Sequence, residues 1–93
     1  MKLEWDEAKR RATLRERGLD FADFGSVDWD EAQTGKDTRR NYDEVRFITI
    51  VPLGGRLVVV CWTRREDRVR VISMRKANER ERRKHERNRT LYG

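Results

Sequence analysis

The sequence predicts an α+β fold in the order β-α-α-β-β-β-α: helices first, a three-stranded antiparallel meander, and a basic helix at the end. Three observations predict it. Of the 20 Leu, Ile, Val and Phe residues, 13 fall within Val45–Trp62 and Val69–Met74, a clustering that gives strands one shared core and that a disordered chain would not show. Gly18 and the Gly54-Gly55 pair stand where a helix and a hairpin should end. Asn78 with Glu81 three residues on has the spacing of a capping box at the start of the last helix.

Leu3-Glu4-Trp5 reads as a short edge strand. Asp6 is a good N-cap for a helix over Glu7–Arg17, with Gly18 as its stop and Trp5, Ala8 and Ala12 along a thin buried stripe. Asp20 caps a second, shorter helix that turns Phe21, Phe24 and Val27 inward before Gly25-Ser26 weakens it. From Asp28 to Asp43 the chain is polar, contains Gly35 and lacks periodicity, which predicts a loop.

Val45–Val51 is the first strand of the meander, ended by Pro52-Leu53-Gly54-Gly55, whose glycines suit a tight turn. Leu57–Thr63 returns antiparallel, its continuous apolar run predicting a central strand covered on both faces. After a turn at Arg64–Asp67, Arg68–Met74 alternates, with Val69, Val71 and Ser73 on one face and Arg68, Arg70, Ile72 and Met74 on the other. The basic helix runs from about Glu79 to Arg89.

The 93 residues suit one small domain, 1–93, too short to enclose a large internal cavity. Charge is unevenly placed. Residues 1–63 carry 11 basic and 12 acidic side chains, whereas 64–93 carry 12 and 5, so the net charge of +6 comes wholly from the last third. The partner expected there is anionic: nucleic acid, an anionic membrane surface or an acidic protein. Cys61 is the only cysteine, which excludes an internal disulfide and a cysteine-built zinc site and fits a reducing cytoplasm. No apolar signal core follows Met1, and the longest apolar run, Leu57–Trp62, is six residues against the roughly 20 a membrane helix needs, so a soluble cytoplasmic protein is expected.

Taken in order, Trp5-Asp6-Glu7-Ala8-Lys9-Arg10, Gly18-x-Asp20-Phe21, Glu44-x-Arg46-Phe47, Gly54-Gly55-Arg56-Leu57 and Arg70-Val71-Ile72-Ser73-Met74-Arg75-Lys76-Ala77 before Asn78-x-x-Glu81 resemble the BrnT toxins, from Leu3 to about Glu86. The resemblance implies a RelE-like fold, a small antiparallel sheet with helices packed on one face. It also implies the toxin of a bacterial type II toxin–antitoxin system, a ribonuclease that blocks translation by cutting RNA without a metal or other cofactor. Its implied partner is a BrnA-like antitoxin that carries its own DNA-binding segment, in a heterotetramer built through antitoxin dimerisation. The family usually has Lys-His before the glycine that closes the first helix, where this chain has Glu16 and Arg17. A role for that histidine is then lost or moved, and His85, where similar toxins often carry tyrosine, is a candidate titrating or stacking group whose plainer reading is a solvated surface residue.

Attack of a 2′-OH on the neighbouring phosphate needs proton removal, protonation of the leaving oxygen and cations at the phosphorane. Arginine supplies the last, because its planar fork matches phosphate oxygens and stays charged. It is a poor general base, so base and acid come from Glu, Lys or His, or general catalysis is weak and binding bends the substrate into line. The catalytic candidates are Arg46 and Arg70, long cations within apolar strands, and Arg75 at a strand end before the helix cap. The plain reading of Arg46 and Arg70 is a solvated sheet face on which they snorkel, or pairing with Glu44 or Glu66. Arg64, Lys76, Arg80, Arg83 and His85 are candidate RNA-binding groups, Trp62 and Tyr42 candidate stacking groups, Trp62 more readily as core. The same charges suit a non-catalytic nucleic-acid-binding module, or a partner of an acidic protein with no RNA role.

Overall fold

A computed structural model describes residues 2–39 and 43–92. Its centre is a five-stranded sheet in the order β1-β5-β4-β3-β2, built from β1 (Lys2–Trp5), β2 (Gln33–Lys36), β3 (Arg46–Leu53), β4 (Arg56–Arg65) and β5 (Arg68–Lys76), with helices α1 (Glu7–Arg17) and α2 (Glu79–Tyr92). The α+β class expected from the sequence is the one observed. The meander β3-β4-β5 is antiparallel, and β1 joins its edge parallel to β5.

The caps act as the sequence suggests. Asp6 accepts the Lys9 N–H at 3.1 Å, and Gly18, at φ 68°, donates to the Leu14 carbonyl at 3.0 Å. The apolar stripe expected on α1 does not form: Ala8 is exposed and no residue of the helix is buried. Polar links hold it instead. Arg10 pairs with Asp20 at 2.9 Å while lying over the Trp5 ring, Arg17 donates to the Met74 carbonyl at 2.9 Å, and Arg56 reaches the Gly18 carbonyl at 3.1 Å.

The second helix is a 3-10 helix, Phe21–Ser26. With three residues per turn, Phe21 and Phe24 lie one above the other, and both are fully buried. Gly25 lets this segment approach β1, since a Cβ there would sit 3.3 Å from Leu3 Cδ1.

Strand β2 falls inside the segment expected to be a loop. Gln-Thr-Gly-Lys carries no apolar residue and hence no period-two signal; its register on β3 supplies the order, with Thr34 and Thr49 sharing a hydroxyl hydrogen bond of 2.8 Å. Trp62 Nε1 donates to the same Thr49 hydroxyl at 2.8 Å, which ties the edge strand to β4.

At the β3–β4 turn Gly54 and Gly55 have φ of 60° and 79°, the left-handed pair a two-residue hairpin needs. Between β4 and β5 the register passes from Cys61↔Ser73 to Trp62↔Val71, leaving Ile72 as an extra residue in a β-bulge. The bulge corrects the strict alternation expected for β5. Val69, Val71 and Met74 share one face, and Arg70, Ser73 and Arg75 share the other.

The first face holds the core: Leu19, Phe21, Phe24, Val27, Val51, Val58, Val60, Val71 and Met74. Burial of each large side chain there stabilises the fold by about 1.5–3 kcal/mol. Strand β4 is also buried on its second face, at Val59, Cys61 and Thr63, as its continuous apolar run predicts. Helix α2 crosses that second face, bonded at one end to Arg75 through Glu81 and at the other to Gln33 through His85 and Asn88. The helices therefore lie on both sides of the sheet, because the capping box at Asn78 starts α2 just beyond the end of β5.

Candidate active site on the second sheet face

Pairing registers place Glu4, Arg70, Thr63 and Arg46 in one row across four strands. The next row is Ser73, Cys61, Ile48 and Gly35, and the third Arg75, Val59, Ile50 and Gln33. Arg46 and Arg70 are separated by one strand, about 10 Å between Cα atoms at the usual strand spacing. Their row and that of Arg75 flank a floor of short side chains, Ser73 and Cys61, with open space above Gly35. The Ile72 bulge creates this arrangement; without it Arg70 and Arg75 would point to opposite faces.

Each arginine has a carboxylate neighbour. Arg46 Nε lies 3.5 Å from Glu44 Oε1, the partner its plain reading suggested. Arg70 Nη1 lies 3.5 Å from Glu4 Oε2, so its neighbour is the acid brought in by the parallel edge strand and not Glu66. Arg75 makes a two-pronged bond to Glu81, at 2.8 and 2.9 Å. That bond raises the Arg75 pKa above its ordinary value, burial and the charge of Arg39 opposing the rise. Conversely, Arg75 holds the Glu81 carboxyl below its usual range despite burial.

Burial pushes the Cys61 thiol up, and Asp37 adds to the rise, while Arg46, Arg39 and Lys9 oppose it. Cys61 is a free, buried cysteine held as a thiol, a poor nucleophile. The cations acting on it come from β3 (Arg46), from α1 (Lys9) and from the segment after β2 (Arg39). Sequence reasoning missed Lys9 and Arg39. Lys9 lies on a helix read as support, and Arg39 lies in a stretch with no periodicity.

The remaining candidates do not gather here. Arg64 pairs with Val69 and Lys76 with Val58, which assigns both to the core face, where each is exposed at a strand end. Arg80 and Arg83 are exposed on α2, Arg83 with Glu79 at 3.3 Å. His85 is corrected from a surface group to a buried one, 5% exposed, its Nε2 donating to the Glu31 carbonyl at 2.9 Å. Its place at the middle of the inner face of α2, between Glu81 and Asn88, accounts for that burial. Trp62 is partly buried and stacks on Phe47 at 4.6 Å between ring centroids, as core packing. Tyr42 lies outside the described residues.

Among the described residues no three His, Cys, Asp or Glu side chains gather as metal ligands, and no helix is long and apolar enough to cross a membrane. The arrangement presents Arg46, Arg70 and Arg75 on one face, and arginine forks of this kind can pair with phosphate oxygens.

No curated protein matches the sequence. A family model described as the ribonuclease toxin, BrnT, of type II toxin–antitoxin systems matches residues 5–81 of the 93. That span contains β2 to β5, α1 and all three arginines of the sheet face. The chain belongs to the BrnT family of ribonuclease toxins of type II toxin–antitoxin systems.

Proposed function

We propose that this chain is a metal-independent endoribonuclease that inhibits translation by cleaving RNA in the bacterial cytoplasm, and that a BrnA-like antitoxin neutralises it in a heterotetramer built through antitoxin dimerisation. The observation that carries the reading is the sharing of one sheet face by Arg46, Arg70 and Arg75, from β3 and both sides of the β5 bulge.

In this reading the RNA backbone lies along the second face beside α2, with the scissile phosphate near Ser73 between Arg70 and Arg75. Arg75 stabilises the phosphorane formed by 2′-OH attack, and Arg70 and Arg46 hold the flanking phosphates and keep the attacking oxygen in line. Removing one positioned donor of this kind costs about 3–4 kcal/mol, or 10²–10³ in rate. Base and acid come from carboxylate or lysine groups around the floor, since the arginines stay protonated. Arg64, Lys76, Arg80 and Arg83 add longer-range attraction to the RNA backbone. His85 takes no part, being bound to the Glu31 carbonyl.

The test is to induce the protein alone in a bacterium and map new RNA 5′ ends, with Arg75→Ala in parallel. Wild type should arrest growth and create new ends, in vitro also with excess EDTA, whereas a folded Arg75→Ala protein should do neither and still bind RNA. Unchanged toxicity in that variant sinks the assignment. A pure nucleic-acid-binding module would leave RNA uncut, and its affinity would fall stepwise as charges on α2 are removed.

A further inference from the structure

We infer that Arg39, held in place by the buried carboxylate of Asp37, is a fourth phosphate-binding cation of the second sheet face, a role that rests on the ribonuclease reading above. Asp37 follows β2 directly, and its N–H donates to the Arg46 carbonyl at 2.8 Å. That bond continues the β2–β3 register, in which Lys36 pairs with Phe47, and brings Asp37 to the row of Arg46, Thr63 and Arg70. Its side chain is fully buried.

A buried carboxylate is costly unless it is paired and well hydrogen-bonded. Arg39 supplies both a charge and hydrogen bonds to Asp37. Its Oδ1 accepts the Arg39 backbone N–H at 3.2 Å and Nε at 2.8 Å, and its Oδ2 accepts Nη2 at 2.8 Å. The partner is not buried with it, for the Arg39 side chain is 67% exposed. An acid wholly inside and a base mostly outside make an anchored cation: the guanidinium is fixed in direction while its surface faces solvent. Three hydrogen bonds to a rigid strand end give it the fixed geometry that phosphate recognition needs. Arg39 also acts electrostatically on both Arg75 and the Cys61 thiol, which sets its charge beside the floor. Asp37 is the positioning residue and Arg39 the contact.

Binding of a short single-stranded RNA with 2′-O-methyl riboses, which removes the attacking hydroxyl, tests this over a range of salt concentrations. Arg39→Ala should lower the melting temperature, because Asp37 loses its paired charge, while keeping a cooperative melt; below the transition it should weaken binding about tenfold and lower the slope of log affinity against log salt by about 1, the signature of one lost phosphate contact. Arg39→Lys should keep the slope. Asp37→Asn should keep the slope and weaken binding several-fold, and that loss should vanish when it is combined with Arg39→Ala, because the two act as a unit. An unchanged slope in a folded Arg39→Ala protein overturns the contact, and a loss from Asp37→Asn that persists in the Arg39→Ala background overturns the positioning role. Wild type that binds this RNA but leaves ordinary RNA uncut removes the ribonuclease reading and leaves the Arg39 contact standing on its slope. Wild type that does not bind removes both.

Discussion

Arg75 and Glu81 face each other as two parallel forks, Nη1 to Oε1 at 2.8 Å and Nη2 to Oε2 at 2.9 Å, and Glu81 Oε1 also accepts the Asn78 N–H at 2.9 Å. One carboxylate thus closes the capping box of α2 and orients the arginine with the central catalytic role in the proposed mechanism. Glu81→Ala should lower stability in urea unfolding by about 1–2 kcal/mol, the loss of a cap and a partly exposed ion pair together. It should also slow RNA cleavage, because an unheld Arg75 samples other rotamers. Unaltered stability and unaltered cleavage together would contradict this dual role.

The same pair sets an acid dependence. Arg75 holds the Glu81 carboxyl below its ordinary 4.5, so between the folded value and 4.5 the native state binds fewer protons than the unfolded chain. Stability from this group is therefore full above about pH 4.5 and is lost as pH falls through the lower folded value. In urea titrations from pH 6 to pH 3, wild type should lose more stability over that window than Glu81→Gln. Parallel curves would show that the pair contributes nothing to the slope.

The bulge at Ile72 decides which residues face the core. Deleting Ile72 removes the extra residue and leaves Val71, Ser73, Met74 and Arg75 opposite Trp62, Cys61, Val60 and Val59, so Met74 keeps its place in the core and Arg75 its place on the second face. The variant should therefore stay folded, at a cost of about 1–3 kcal/mol for the lost Ile72 contacts and the altered local twist. Thermal melts followed by circular dichroism read this directly, and an unfolded deletion variant would show that the bulge itself is required for the sheet.

His85 should behave as a packing residue. His85→Ala removes a buried hydrogen bond to the Glu31 carbonyl and should lower the melting temperature, with a cost of about 1–3 kcal/mol. Measured well below the transition, cleavage by the variant should match wild type. A loss of rate without a loss of stability would return His85 to the chemistry.

Glycines separate into needed and tolerated positions. Gly54→Ala and Gly55→Ala each place a Cβ on a residue with φ near 60–79°, and each should cost about 1 kcal/mol or more. Gly35 carries no such φ and an added Cβ there meets nothing within 4 Å, so Gly35→Ala should be neutral or slightly stabilising in thermal denaturation.

Much of this architecture is legible in residue pattern because the signals are local. Asp6, Gly18, Asn78 and Glu81 do what their spacing indicates. What pattern alone cannot reach is set by partners distant in sequence. The four residues of β2 become a strand only through β3, and the 3-10 geometry at Phe21–Ser26 is chosen by the core that Phe21 and Phe24 fill. The three strand arginines are visible as cations in apolar surroundings, but their shared face depends on a bulge that alternation does not signal. Arg39 is hidden for a related reason, since its anchor is buried by a strand end with no apolar residue of its own. His85 looked solvent-facing because the inner face of α2 is itself polar.

That inner face, Glu81, His85 and Asn88, has a consequence for how solution measurements are read. Among the described residues it meets the sheet and its connections through an ion pair and hydrogen bonds, contacts that added salt and acid weaken far more than they weaken apolar packing. Ionic strength then acts on two equilibria at once, the hold of RNA on the arginine face and the seating of the helix across it. A salt titration of any one protein reports their sum, and only the difference between wild type and a single-charge variant separates the phosphate contacts from the helix.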